Sequence, residues 1–296
     1  MLWIVHMCGI TPGTVEFNNM EVLSVAQIFP ISIHHIQTTV IKAIDLFTNS
    51  IDIFLKGIDV VKAFILKHSN NGLLGLHLEG PYINPIKRGA HLLEHIKHPT
   101  LDEVKLLLDK SEGIVKMMTL APEQCNDEVI QLLLDNKVVV SAGHSNATYE
   151  QATAGFNKGI TTATHLFNAM SPLQGRELGM VGAIYDHATA HSSIVCDGFH
   201  TSFSAVRISK KMMQERLFLI TDAVTETSDG AYQHVLKDDH YVLPDGTLSG
   251  SALTMIKAVN NCIKQAGIEF DEAFIRWFLI SVSIIKASFN PVKTPR

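Results

Sequence analysis

The sequence predicts an α/β fold, a (β/α)8 barrel of the TIM type, on three observations. Apolar, β-branched runs recur at Leu74–Glu79, Val115–Leu120, Val138–Ala142, Thr161–His165, Ile194–Asp197 and Leu217–Asp222. Helical patterns separate most of them, and such alternation implies a parallel sheet. Chemically capable residues end nearly every run, and a barrel builds its site on that C-terminal face. Two of these residues, His144 and His165, close the consecutive strands of one βαβ unit. The first two strands of an eight-stranded barrel then have to come from residues 1–70.

The βαβ unit carries the sharpest signal. In Val138–Thr148 and again in Thr161–Met170, an apolar run stops at a histidine and turns into polar, helix-starting residues. Between them, Thr148-x-x-Gln151 is a capping-box pattern opening an alanine-rich helix that stops near Gly159. Adjacent parallel strands lie about 5 Å apart, so imidazoles on neighbouring tips can converge on one ion. A lone strand-end histidine is more often a structural hydrogen-bonder; the pairing argues for ligation. Upstream, Gly72–Glu79 is a strand whose period of two puts His77 and Glu79 on one face and Leu74, Leu76 and Leu78 on the other. A glutamate ending an apolar strand is costly to bury unless paired or bound to a cation. A helix cap or a surface carboxylate is the alternative, but beside two strand-tip histidines Glu79 reads as a third ligand. The basic loop Lys87–His91 follows, either as a solvated turn or as a contact for a substrate anion.

The other segments are read in order. Val5–Gly9 reads as a short strand, Val15–Phe29 has roughly helical spacing, and Ile31–Ile36 alternates like a strand. That alternation sends His34 and His35 to opposite faces, so they do not chelate together. Leu101–Leu108 reads as a helix, and Leu243–Met255 as a turn-rich segment running into a barrel-closing helix, Ile256–Gln265. The apolar run Trp277–Ile285 is too short to span a bilayer.

Composition narrows the function. With 296 residues, 46% hydrophobic and 18% charged, the chain is long enough for one large domain. A net charge of −5 argues against a nucleic-acid partner. The four cysteines, Cys8, Cys125, Cys196 and Cys262, form no C-x-x-C pair, which fits the reducing cytosol and gives neither a zinc knuckle nor a disulfide framework. The apolar start Met1–Val5 lacks a basic flank and a cleavage site, so a cytoplasmic protein without membrane attachment is expected.

Six motifs in order give the chain a family resemblance. They are His77-Leu-Glu-Gly-Pro81, Gly143-His-Ser-Asn-Ala147, Ala163-Thr-His-Leu-Phe-Asn-Ala-Met170, Asp197-Gly-Phe-His200, Thr221-Asp-Ala223 and Gly246-Thr-Leu-Ser-Gly-Ser251. From about Gly72 to Ala273 the chain resembles the N-acetylglucosamine-6-phosphate deacetylases of the amidohydrolase superfamily. The resemblance implies that Glu79, His144 and His165 bind one divalent metal ion, with zinc the expected ion. It implies that Asp222, on the eighth barrel strand, is the general acid/base, and that His91 and His200 contact the sugar. Asn168 and Ala169 would hold its phosphate through amide groups, together with Arg176, for which a surface salt bridge with Glu177 is the alternative. A phosphosugar substrate and a homodimer are the implied partners. The chemistry asks for the same kit, because an amide is a poor electrophile and its amine leaves only when protonated.

The chain also departs from the family pattern. The accessory β-sandwich of the family is expected to be largely missing, leaving residues 1–296 as one barrel domain: divergent first strands in 1–70, a well-matched catalytic part in 72–273 and a divergent tail in 274–296. Many amidohydrolases place His-x-His on strand one for a second metal; here the counterpart is His6-Met7-Cys8-Gly9, and one metal is expected. A rival reading follows, in which the chain is a truncated, non-catalytic remnant that retains metal or sugar-phosphate binding. A dihydroorotase-like enzyme fits less well, since Ala163–Met170 and the Arg176 loop suit a phosphosugar.

Overall fold

The computed structural model describes residues 42–67, 73–228 and 232–273. The expected elements at Val5–Gly9, Val15–Phe29, Ile31–Ile36 and Trp277–Ile285, with His6, Cys8, His34 and His35, lie outside the described residues.

Seven parallel strands form one sheet in which each strand pairs with the next in sequence. They are β1 (Lys42–Phe47), β2 (Leu73–Glu79), β3 (Val115–Leu120), β4 (Val139–Ala142), β5 (Thr162–Ala163), β6 (His191–Val195) and β7 (Leu217–Ile220). The helices α1 (Ile51–Lys67), α2 (Leu101–Ser111), α3 (Asp127–Asp135), α4 (Tyr149–Asn157), α5 (Gly179–Asp186) and α6 (Phe203–Met213) connect them. Of the two strands expected within 1–70, β1 is described and the other falls outside. The reading from sequence did not mark Lys42–Phe47, because Lys42 and Asp45 interrupt its apolar run.

The sheet is curled, as the site itself demonstrates. In a flat sheet, three strand spacings would separate the tips of β2 and β5 by about 14 Å, further than a glutamate and a histidine extend towards each other. Yet Glu79 Oε1 and His165 Nε2 are 3.1 Å apart. Outside the curl, Phe54, Ile58, Val61, Val104, Leu107, Val129 and Leu133 of the helices join Leu76, Leu78, Met118, Leu120 and Val140 of the strands in the hydrophobic core. Inside it the sheet is polar: His77 and Asp45 make a 2.6 Å ion-pair contact rather than an aligned hydrogen bond. His77 Nε2, Thr119, Thr164 and Ser141 continue as a chain with steps of 2.6–2.7 Å.

After β7 the chain leaves the barrel pattern. An antiparallel sheet of β8 (Val235–Lys237), β9 (His240–Val242) and β10 (Leu248–Ser251) precedes α7 (Met255–Lys264). The turn-rich reading of Leu243–Met255 missed β10, whose Leu-Ser-Gly-Ser sequence carries no apolar alternation. Pairing holds it instead: the Ser251 amide donates to Asp222 O at 2.8 Å, and the Val224 amide donates to Ser251 O at 3.2 Å. Among the described residues no β-sandwich accompanies the barrel, and no helix is long and apolar enough to cross a membrane.

Five helices start on a side-chain cap, Thr100, Asn126, Thr148, Ser202 and Thr254, each accepting the amide three residues on. These caps satisfy amide donors that the first turn leaves unpaired, so each helix begins at a fixed point after its loop. At Thr148 the capping box read from sequence is complete, since the Gln151 side chain accepts the Thr148 amide at 2.9 Å. Thr148→Ala is expected to lower unfolding free energy by about 1 kcal/mol, seen as a lower denaturant midpoint at unchanged slope. An unchanged midpoint would show that packing alone sets this helix start.

Candidate functional site

Three strand tips meet at one point. Glu79 ends β2, while His144 and His165 lie two residues beyond the ends of β4 and β5. Glu79 Oε1 is 3.2 Å from His144 Nε2 and 3.1 Å from His165 Nε2, and the two nitrogens are 3.0 Å apart. All three side chains are buried. The His144 and His165 backbones turn left-handed, at φ 46° and 42°, which takes each histidine out of its strand ladder. Strained backbone of this kind collects at functional sites. Phe167, Ala169 and Asp222 share it, with φ of 78°, 49° and 50°.

The triangle suits a cation. His144 Nδ1 donates to Lys87 O at 2.9 Å, which leaves the Nε2 lone pair facing Glu79; this is the usual arrangement for a metal-binding imidazole. Ligand atoms around a four-coordinate zinc are spaced by about 3.3 Å, given bonds of about 2.0–2.1 Å, and the three edges here approach that spacing. Burial works to raise the Glu79 carboxyl, but its close contacts with the His144 and His165 imidazoles overcome it and hold the group well below the usual carboxylate range. A buried carboxylate that stays ionised between two imidazoles offers donors that can hold a cation without further rearrangement.

Two neighbours share the cavity. His91 places a ring nitrogen within 4.8 Å of the ligand atoms of Glu79 and His144, which makes Glu79, His91 and His144 a second geometric candidate for a triad. Burial, aided by the nearby His144, pushes the His91 imidazole well down. The Asp222 carboxyl is raised, first by desolvation and then by the charge of Glu79. On the wall, Asp197 Oδ2 lies 2.6 Å from His200 Nδ1, and its Oδ1 accepts the amides of Phe199 and His200, so the His200 ring is held at the cavity wall by its Nδ1 side.

The cavity, about 320 Å³, is lined by Glu79, His91, His144, His165, Asn168, Ala169, His200 and Asp222, with Lys87 of the basic loop at its edge. Eight of the nine side chains singled out from sequence therefore line one space. Arg176 does not; it is exposed on the loop before α5.

Supporting residues were missed. Phe47, Tyr232 and His234 form one aromatic wall of the cavity, with ring centroids 5.9–6.3 Å apart. The Tyr232 hydroxyl donates to Thr48 O at 2.6 Å, tying the segment after β7 back to the tip of β1. Glu123 accepts from Asn84 Nδ2, Ser145 Oγ and the Asn146 amide at 2.7–2.9 Å, joining the loops after β2 and β4. Only the Gly-His-Ser-Asn motif hinted at this second role, through its two small polar residues after the histidine.

Parallel barrels that gather imidazoles and a carboxylate on their strand tips form a class of metal-dependent hydrolases. This chain belongs to the amidohydrolase family within that class, matching the family over residues 47–276. It is 36% identical over 227 residues to the N-acetylglucosamine-6-phosphate deacetylase of Haemophilus influenzae, which takes in 73% of this chain and 58% of that protein. It is 31% identical over 274 residues to the N-acetylgalactosamine-6-phosphate deacetylase of a Shewanella species, covering 88% of this chain and 68% of that one. The crystal structure of N-acetylglucosamine-6-phosphate deacetylase from Pasteurella multocida superposes with a TM-score of 0.78 at 31% identity, over 85% of this chain and 67% of that one. The chain thus spans 58–68% of the length of these two relatives.

Glu123→Ala leaves three donors in the Asn84 and Ser145–Asn146 loops without their acceptor. Stability is expected to fall by about 2 kcal/mol in denaturant unfolding; a loss no larger than that of an exposed surface carboxylate would remove Glu123 from the support of His144.

Proposed function

We propose that this chain hydrolyses the N-acetyl group of N-acetylglucosamine 6-phosphate to glucosamine 6-phosphate and acetate, in amino-sugar catabolism. The buried triangle of Glu79, His144 and His165, with Asp222 on the same cavity, carries the reading. The names of the relatives, deacetylases of glucosamine and galactosamine 6-phosphates, support the substrate class.

In this reading Glu79, His144 and His165 hold one divalent ion, with zinc expected. Two imidazoles and a carboxylate leave a coordination position open. Such an ion, when bound, brings the pKa of a water from about 15.7 towards about 7 and polarises a carbonyl. Asp222 takes the proton of the attacking water and gives it to the departing amine. Its raised carboxyl pKa suits both steps, because an acid/base works best with a pKa near the working pH. His91 and His200 position the acetyl group and the sugar. The phosphate falls to the amides of Asn168 and Ala169, with Lys87 nearby; Arg176 is assigned to it on the sequence resemblance alone. The three described cysteines, Cys125, Cys196 and Cys262, are free thiols, which supports a cytoplasmic setting. A single barrel domain over 1–296 that works as a homodimer completes the reading.

Burial lowers the His165 imidazole, but the hydrogen bond and charge of Glu79 reverse this and raise it to about 8. Without a cation His165 is then protonated below about pH 8, and an incoming cation displaces that proton. Apparent zinc affinity is therefore expected to rise with pH up to about 8, and to fall about tenfold per unit below it. Competition titration with a zinc indicator measures this, and an affinity flat between pH 6.5 and 8 would contradict it. The activity test is acetate release from N-acetylglucosamine 6-phosphate by zinc-loaded protein. Asp222→Asn is expected to keep its zinc while turnover falls about 10²-fold or more; full turnover in that variant removes Asp222 from the mechanism. Zinc-loaded parent protein that releases no acetate would leave the chain a binding remnant.

A further inference from the structure

Thr48 belongs to none of the motifs, yet it touches three parts of the site. It follows β1 directly and is fully buried. Its Oγ1 is 2.7 Å from His91 Nδ1 and 3.0 Å from Glu79 O, its amide nitrogen is 3.3 Å from the same His91 Nδ1, and its carbonyl accepts the Tyr232 hydroxyl. Gly80 leaves room for the hydroxyl, since a Cβ there would stand 2.0 Å from Thr48 Oγ1.

These contacts choose a tautomer. A backbone amide only donates, so with the Thr48 N–H aimed at it, His91 Nδ1 has to accept. A neutral imidazole carries one proton, which therefore sits on Nε2. Taken alone the hydroxyl serves either tautomer, accepting from Nδ1 while donating to Glu79 O at 3.0 Å or donating to Nδ1 at 2.7 Å; with the amide fixing Nδ1 as an acceptor, its one proton goes to Nδ1. The opposite tautomer would set the His91 N–H against the Thr48 N–H and leave a buried amide without its acceptor. His144 has the reverse arrangement, with Nδ1 donating to Lys87 O and Nε2 bare.

We propose that Thr48 is a positioning residue that holds His91 as its Nε2–H tautomer, so that His91 presents a hydrogen-bond donor to the cavity and is not a ligand of the cation. Although Glu79, His91 and His144 form a geometric triad, a protonated Nε2 has no lone pair to give a metal. His165 is then the third ligand, and the His91 N–H is free for an oxygen of the substrate. The catalytic consequence rests on the deacetylase reading; the tautomer does not.

The test uses full-length, zinc-loaded protein labelled with ¹⁵N-histidine, with the His91 signals identified by their loss in His91→Gln. Long-range ¹⁵N–¹H correlation separates protonated from bare ring nitrogens. The expected spectrum has His91 Nε2 protonated and Nδ1 bare, with the Nε2–H population reduced in Thr48→Val and recovered in Thr48→Ser. In acetate release, Thr48→Val is expected to lose about 10- to 100-fold in kcat, with zinc content kept and KM within about twofold, and Thr48→Ser to recover most of the loss. A proton on His91 Nδ1 in the parent, or a His91 nitrogen shifted by bound zinc to a ligand position, overturns the proposal. So does a Thr48→Val variant with an unaltered tautomer. Should Thr48→Val not fold, the parent spectrum alone decides. Absence of acetate release from the parent would count against the deacetylase reading and leave the spectrum to judge Thr48.

Discussion

The structure depends on a carboxylate placed between two imidazoles inside a barrel. An ionised carboxylate buried without partners costs several kcal/mol even after relaxation, and Glu79 is kept ionised here by His144 and His165. The arrangement is also tense, since two imidazole nitrogens face each other at 3.0 Å. A cation turns this crowding into attraction, which is why the donor set reads as a metal centre rather than a structural hydrogen-bond cluster. The sheet must curl to make it, and the residues after β4, β5 and β7 must turn left-handed. Backbone strain and buried charge are thus concentrated in the place where chemistry is expected.

The remainder of the fold supports that point from two sides. Beneath it, Asp45, His77, Thr119 and Ser141 on β1 to β4, with Thr164 just after β5, give the barrel a polar interior. The outer helices bear the apolar burden. Above it, the antiparallel insertion crosses from Asp222 to β1: β10 binds the Asp222 and Val224 backbone, while Tyr232 reaches Thr48. Asp222, Glu79 and His91 are therefore tied into one hydrogen-bonded rim, with Thr48 linking His91 to the Glu79 backbone.

Much of this was legible in the sequence, for physical reasons that also explain the gaps. Strand–helix alternation and the Thr148 capping box are local signals, and β2, β3, β4 and α4 appear within a residue or so of where they were read. The histidines and Glu79 were legible because polar groups interrupt apolar runs at strand ends. β5 is shorter than its apolar pattern, because the chain leaves the ladder early to aim His165 inwards. β1 was missed since Asp45 is tolerated only through its contact with His77, a partner 32 positions away. Thr48, Glu123 and Tyr232 act through long-range hydrogen bonds to the backbone, and no local pattern marks such a role. Arg176 was assigned by resemblance alone, and in this chain it lies exposed on the loop before α5, outside the cavity.

The central claim is the identity of the three groups that meet the cation, and anomalous diffraction from crystals of the zinc-loaded chain tests it most directly. The account predicts one strong peak bounded by Glu79, His144 and His165, each within about 2.0–2.2 Å, with His91 outside bonding distance. A peak bound by His91 in place of His165, or no peak between these strand tips, would contradict it.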